Sequence, residues 1–153
     1  MRCLVLGADG FLGSHLVDGL LSKGFEVRAY ARFSEGKSKN LEHLRDKIEF
    51  VAGDFLNQDD IDKATKDIDI VFHIAGVTGG IGFTKKHPGS VFYDNLIMGT
   101  NIMEESRKAN VKKFISTGTV CSYPKFSPIP FNEVDIWNGY PEETNASYGL
   151  SKK

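Results

Sequence analysis

An α/β fold, with a parallel sheet covered by helices on both faces, is what this 153-residue sequence predicts. Three observations carry that expectation. Short apolar runs alternate with segments of helical periodicity along the whole chain. A glycine-rich turn, Gly7-Ala8-Asp9-Gly10-Phe11-Leu12-Gly13, joins the first apolar run directly to the first helical segment. The composition, 41% hydrophobic and 25% charged, suits a chain that fills a single core.

Taken in order, Arg2-Cys3-Leu4-Val5-Leu6 opens a strand expected over 2–7, and the helix after the glycine turn is expected over 10–23. Leu12, Leu16, Leu20 and Leu21 recur at helical spacing until Lys23-Gly24 supplies a stop. A second strand over 26–31 completes a βαβ unit, and further strands are expected near 48–52, 68–75 and 112–118. Helices fill the intervals: a short one around 40–46, one over 57–66, and a long one from 89 to 109. On the long helix Phe92, Leu96, Ile102 and Met103 mark an apolar stripe. A last helix begins near Ala146. Two long loops remain, from Gly76 to Pro88 and from Cys121 to Asn145, and long loops in a compact domain are usually functional. Both should emerge at the carboxyl ends of the strands, where such sheets bind ligands.

Strand, glycine turn and helix in that order form an anion site. Gly7 lets the chain turn tightly, Gly10 lets backbone approach a pyrophosphate, and Gly13 lets the helix pack on the strand. The helix start then offers free N–H groups and a partial positive charge. This arrangement is a Rossmann-type doubly wound sheet, although the spacing is Gly-x-x-Gly-x-x-Gly and three glycines in a row of seven also make a plain turn.

At the other end stands Tyr148-Gly149-Leu150-Ser151-Lys152. Residues four apart share a helix face, so the Lys152 ammonium can sit beside the Tyr148 hydroxyl. A free phenol ionises near pH 10, roughly, and a cation at about 4 Å favours its anion by about 1 to 4 kcal/mol. Such a pair moves protons near neutral pH; its bland alternative is a solvated helix face.

Other function classes find no support. The net charge is −1, and Lys85-Lys86 and Lys112-Lys113 are too short to track a nucleic-acid backbone. There is no run of about 18 apolar residues and no signal-peptide pattern, so neither membrane nor secretion is expected. Cys3 falls in a strand and Cys121 in a loop, which argues against a disulfide and for a cytoplasmic setting. His15, His43, His73 and His87 lack metal-ligand spacing, so no metal is expected.

Over essentially its whole length the sequence resembles the N-terminal part of an extended short-chain dehydrogenase/reductase of the NAD-dependent epimerase/dehydratase family. Five features match in order: the turn Gly7 to Gly13; Gly53-Asp54; His73-Ile74-Ala75-Gly76; Asn95 in Asn95-Leu96-Ile97-Met98-Gly99-Thr100; and Thr119 followed by Tyr148 and Lys152. Within the family, Val77-Thr78-Gly79-Gly80-Ile81-Gly82-Phe83, Val120-Cys121-Ser122-Tyr123-Pro124-Lys125 and the 29 residues separating Thr119 from Tyr148 resemble the branch of GDP-L-fucose synthases and GDP-mannose 3,5-epimerases.

The resemblance implies a role for each matched residue. Tyr148 takes or gives the proton on a sugar oxygen while hydride passes to or from the nicotinamide. Lys152 lowers the Tyr148 pKa and holds the nicotinamide ribose. Thr119, where the family more often has Ser, steadies the developing oxyanion. Cys121 stands where that branch places an acid/base for epimerisation, a proton shift α to a ketone; otherwise it is a small buried hydrophobe. Cofactor contacts are implied for Gly7, Asp9, Gly10, Phe11, Leu12, Gly13, Arg32, Asp54, Phe55, Ile74, Ala75, Gly76, Asn95 and Thr117, with Tyr148 and Lys152.

Ala31-Arg32 at the end of the second strand offers no carboxylate to a ribose 2′-hydroxyl, and the guanidinium can pair with a 2′-phosphate, helped by Lys37 or Lys39. NADP is therefore expected over NAD, which stays possible because Glu35 is a nearby ribose acceptor. Asp54 is expected at the adenine edge, or else as a simple cap. The resemblance further implies a nucleotide-sugar substrate, a GDP-sugar, and a homodimer formed through the long helix and the helix of Tyr148. Family members continue for about as many residues again. The chain is therefore expected to be one dinucleotide-binding domain, residues 1–153, ending just after the Tyr-Lys motif, without the C-terminal strands and substrate domain and with little turnover alone. A non-catalytic NADP(H)-binding module and a reductase of another small carbonyl compound are the alternatives.

Overall fold

A computed structural model describes residues 1–33 and 38–153. The chain forms two compact units, Met1–Ala75 with Thr100–Ser116, and Gly76–Gly99 with Thr117–Lys153.

The first unit is built on five parallel strands: β1 (Arg2–Leu6), β2 (Glu26–Ala31), β3 (Glu49–Ala52), β4 (Ile70–His73) and β5 (Lys113–Ser116). Their order is β3-β2-β1-β4-β5, with Leu6 level with Tyr30 on one side and His73 on the other. Chain order reverses at β1, which makes the β1/β4 edge the switch point where ligands of such sheets bind. The near-continuous apolar burial of β1 and β2 is that of strands covered on both faces. Helix α1 (Phe11–Ser22) buries Val17 and Leu20 on the sheet. It ends as Lys23-Gly24 predicts: Gly24 takes a φ of 78°, and the N–H groups of Gly24 and Phe25 donate to the carbonyls of Leu21 and Leu20.

The expected short helix at 40–46 is a 3-10 turn, Lys39–Leu44. Helix α2 (Gln58–Thr65) is capped by the Asn57 side chain, which accepts from the N–H groups of Asp59 and Asp60. At its other end the buried Arg28 guanidinium donates to the carbonyls of Ala64 and Lys66, both at 2.8 Å, and to the Glu49 carboxylate at 2.7 Å. A charge in the middle of a buried strand is thus used to close a helix C-terminus.

Two expectations need correction. The glycine-rich stretch read as loop contains helix α3 (Gly80–Lys86). A side chain on Gly79 would lie 2.6 Å from the Phe83 ring, and the Thr84 hydroxyl donates to the Gly80 carbonyl. Close ring packing and that hydrogen bond outweigh the poor helix propensity of glycine. The long helix α4 (Pro88–Lys108) runs as expected, yet of the four residues assigned to its apolar stripe only Ile102 is buried. The buried stripe is Val91, Asn95, Met98 and Ile102. Polar residues share the inner face, Asn95 with its amide satisfied and, further along the helix, Glu105 and Ser106, so hydrophobicity does not mark that face.

The second unit has little regular structure beyond α3 and the first turns of α4. It adds two 3-10 turns, Val120–Ser122 and Glu133–Trp137, and helix α5 (Ala146–Ser151). Between them Phe126, Ile129, Val134 and Trp137 are exposed, Phe126 to 88%.

Candidate functional site

In the first unit the glycine turn has the geometry its sequence promised. Gly7 sits at a φ of 85°, and a side chain there would lie 3.0 Å from the backbone of Ala75. Its N–H and that of Ala8 both donate to the Tyr30 carbonyl, at 2.9 and 3.3 Å, which ties the turn to β2. A side chain on Gly13 would overlap the Gly7 carbonyl oxygen and lie 2.9 Å from Ala8 Cα. Gly10, at the start of α1, has no capping side chain, so the first N–H groups of the helix face outward with their partial positive charge. Phe11 and Leu12 beside them are exposed, Phe11 to 81%. Asn40, which the motif reading did not single out, donates to the Asp9 carbonyl at 2.7 Å and steadies the turn from outside. This cradle fits a pyrophosphate: backbone donors, no acidic side chain in the first turn of α1 and no room for a Cβ.

Other residues expected around a cofactor fall into distinct situations. Arg32 is exposed just after β2. Lys37 and Glu35 lie outside the described residues. The Asp54 carboxylate accepts from the Leu56 N–H at 3.0 Å while its own N–H donates to Asp60, so it braces a turn and keeps an exposed side chain. Phe55 is buried with its ring edge-on to Tyr30 at 5.0 Å, and Ala75 is buried too, so both have only backbone to offer. Ile74 is half-buried.

In the second unit, Gly76 and Thr117 are exposed, whereas Asn95 is only 1% exposed. The Asn95 oxygen accepts from the Val77 N–H at 2.9 Å, and its NH2 donates to the carbonyls of Val77 and Val91. Its amide thereby holds the segment after Gly76.

The residues expected to transfer protons all lie in this unit. The Thr119 hydroxyl oxygen accepts from the Cys121 N–H at 3.2 Å, which leaves the hydroxyl proton for an acceptor outside the turn. α5 packs directly on that turn: a side chain on Gly149 would overlap the Cys121 carbonyl oxygen. Tyr148 and Lys152 flank Gly149 on α5 and at its C-terminal cap. A side chain on Gly76 would lie 3.5 Å from Asn95 Oδ1 and 3.7 Å from Lys152 Nζ, so the ammonium is brought to that glycine.

The electrostatics correct one expectation. Burial pushes the Tyr148 phenol above its ordinary pKa, and negative charge on Cys121 pushes it further the same way. Burial pushes the Lys152 ammonium down. The lowering of Tyr148 expected from Lys152 does not prevail in the protein alone, because desolvation penalises both charged forms.

A cavity of about 520 Å³ in this unit is lined by Gly118, Thr119, Tyr123, Glu133, Ile136 and Lys152 among others. Glu133 and Ile136 were not legible as site residues, since they come from a 3-10 turn inside the long loop and belong to no motif. Both cysteines are free thiols, Cys3 buried and Cys121 half-buried. Among the described residues no helix is long and apolar enough to cross a membrane.

Comparison with known proteins adds a lineage to this geometry. The profile of the NAD dependent epimerase/dehydratase family matches residues 3–153. GDP-mannose 3,5-epimerase 1 of Oryza sativa subsp. indica is 34% identical over 99% of this chain and 40% of its own length. The UDP-glucose 4-epimerase of Thermotoga maritima, solved with UDP-glucose, superposes with a TM-score of 0.81 at 28% identity, over 99% of this chain and 48% of that one. The Thermus thermophilus UDP-glucose 4-epimerase, solved with NAD, gives 0.78 at 26% identity, over 99% and 47%. The chain thus spans less than half the length of these proteins.

Proposed function

Because the chain belongs to the NAD dependent epimerase/dehydratase family, we propose that it provides the dinucleotide-binding and proton-transfer machinery of a nucleotide-sugar epimerase or reductase resembling GDP-L-fucose synthase. The relatives named above act on GDP- and UDP-sugars, and the branch resemblance of the Cys121 segment favours a GDP-sugar here. The observation that carries the reading is the convergence of Thr119, Cys121, Tyr148 and Lys152 in one unit, with α5 seated on the Thr119–Cys121 turn.

A bound nicotinamide dinucleotide supplies the hydride acceptor and donor. The chain's own residues divide the remaining work. The α1 start and the Gly7–Gly13 turn hold the pyrophosphate, Asp54 meets the adenine, and Lys152 holds the nicotinamide ribose. The Tyr148 hydroxyl moves the proton at the sugar oxygen, and the Thr119 proton, left free by the Cys121 N–H, steadies that oxygen as charge develops. Cys121 serves the proton α to the ketone. Negative charge on Cys121 raises the cost of ionising Tyr148, so the two act in sequence rather than as simultaneous anions. Raised Tyr148 and lowered Lys152 bias the free protein toward neutral forms, and ligand charges then set the working state.

Arg32 favours NADP over NAD. The exposed Phe92, Tyr93, Leu96 and Met103 of α4 support a homodimer through that helix. Two unpaired cysteines suit a reducing, cytoplasmic setting.

The test is a side-by-side fluorescence titration with NADPH and NADH. NADPH should bind more tightly, and Arg32→Ala should weaken it about tenfold, about 1.4 kcal/mol, while NADH stays within about twofold. Equal affinity for both, unmoved by Arg32→Ala, overturns the NADP assignment. Binding of neither nucleotide overturns the cofactor reading itself.

A further inference from the structure

We propose that Ser122 is a positioning residue of the acid–base set, a buried hydroxyl that locks the Thr119–Cys121 turn to the backbone of the helix carrying Tyr148 and Lys152. The proposal rests on the functional reading above and adds a residue to which the sequence assigned no role.

Ser122 is fully buried at the end of the Val120–Ser122 turn. Its hydroxyl donates to the Gly149 carbonyl at 2.8 Å, across 27 residues of sequence. The same carbonyl accepts the Lys152 N–H at 3.3 Å, so one oxygen receives both the turn and the C-terminal cap of α5. The other side of the joint is equally tight. Ser122 N–H donates to the Thr119 carbonyl at 3.1 Å, Cys121 N–H donates to the Thr119 hydroxyl, and Gly149 has no Cβ because the Cys121 carbonyl occupies that space. Cys121 and Ser122, themselves hydrogen-bonded to Thr119, thus meet α5 at Gly149, between Tyr148 and Lys152.

α5 has only six residues and carries no side-chain N-cap. A helix this short does not hold its own position. A hydrogen bond between buried groups is worth only about 1 kcal/mol net, but leaving its acceptor half-satisfied in a dry joint loosens the geometry it fixed. Without the Ser122 hydroxyl, the Cys121 side of the joint should separate from Tyr148 and admit water.

The effect is read by nuclear magnetic resonance of the ring carbons of 13C-tyrosine in the intact chain, followed through an alkaline titration. Tyr30, Tyr93, Tyr123 and Tyr140 serve as internal controls. Cys121, from the turn, is the ionisable group whose charge bears on Tyr148, while Lys152 caps the same helix and shares a cavity wall with Glu133. Ser122→Ala should raise the apparent dissociation constant of Tyr148 about threefold, because both causes of its upward pKa weaken. The four control signals should stay in place.

If Ser122→Ala does not fold, the isosteric pair Ser122→Thr and Ser122→Val decides: the Thr variant keeps the wild-type Tyr148 titration and the Val variant shows the threefold change. Identical titrations in folded Ser122→Ala and wild type, or in the Thr and Val variants, overturn the proposal and leave Ser122 as mere filling. Failure of the functional reading looks different. It is an absence of NADPH binding by the wild-type chain, and the tyrosine titration judges Ser122 whichever way that falls.

Discussion

In the first unit a side chain on Gly13 would overlap the Gly7 carbonyl oxygen, and in the second a side chain on Gly149 would overlap that of Cys121. Both glycines allow a helix to touch backbone directly, but their settings differ. Gly13 lies in a 12-residue helix packed on a five-stranded sheet whose hydrogen bonds fix every neighbour. Gly149 lies in a six-residue helix held by turns, two donors to one carbonyl and a glutamate-centred cluster before it. There Glu142 accepts from the Thr144 N–H, the Thr144 hydroxyl and Asn145. The site proposed in the sheet unit is backbone held by the sheet; the one proposed in the loop unit is side chains that a few hydrogen bonds aim. Backbone suits recognition of a pyrophosphate, and aimed side chains suit proton transfer.

The largest effect should come from testing that difference directly. Gly13→Ala should cost at least about 3 kcal/mol, the upper end of overpacking losses, because neither the Gly7 carbonyl nor Ala8 has room to retreat. NADPH binding should vanish with it. Gly149→Ala meets an equally severe overlap, but the turn it meets is held by a few hydrogen bonds rather than by a sheet, so a smaller loss of about 1 to 2 kcal/mol is expected. Urea unfolding of both variants measures the contrast. Equal losses would mean that the loop unit is as unyielding as the sheet.

Next in size is Arg28→Met. The substitution keeps an apolar stem in β2 but strips the α2 C-terminus of the donor to Ala64 and Lys66 and leaves Glu49 with Arg2 alone. About 2 to 4 kcal/mol should be lost, since orphaned buried carbonyls cannot turn to water. Glu49→Gln should cost under about 1 kcal/mol, because that carboxylate is 40% exposed. If the two variants cost the same, the ion pair rather than the helix closure holds β2, and the sheet unit depends on aimed side chains as much as its partner does.

How far each unit was legible in the sequence follows the same division. Gly7 and Gly13 declare themselves because their tight backbone packing leaves no room for a side chain, and the five strands followed from their apolar runs to within two residues or so at each end. Ser122 did not, because its partner is a carbonyl, which every residue possesses. Asn95 was recognised by its motif, but the sequence could not show that both Val77 backbone groups pair with its amide. Helix α3 was hidden by Gly79, Gly80 and Gly82, whose low propensity is overridden by the Phe83 ring packed where a Gly79 side chain would be. The polar member of the α4 stripe misdirected the burial assignment for the same reason: satisfaction by a distant partner is a tertiary fact.

The smallest expected effect concerns acid stability, where the units should behave alike. Asp69 accepts from Lys112 at 2.6 Å and from the Arg2 N–H at 2.8 Å, and those hydrogen bonds hold its carboxyl below the ordinary carboxylate range. In the second unit Glu143 is lowered by Lys125, 2.9 Å away, and Glu142 by the hydroxyl and N–H of Thr144. A group whose folded pKa is depressed stabilises the fold above its unfolded value, about 3.9 for Asp and 4.3 for Glu, and that stability is lost as pH falls through the folded value. Urea midpoints of the wild type should therefore decline below about pH 4. Asp69→Asn and Glu143→Gln should each lower the midpoint at pH 6 slightly and flatten the decline, since an amide has no proton to take up. The Glu143 effect should shrink further in high salt, because its ion pair with Lys125 is exposed and screened. The Asp69 effect should persist, because one of its partners is a backbone N–H whose hydrogen bond does not depend on a mobile cation. A salt response that is the same for both variants would show that Asp69 acts through the Lys112 ion pair rather than through the Arg2 N–H of β1, and that even the sheet unit relies on surface charge at that edge.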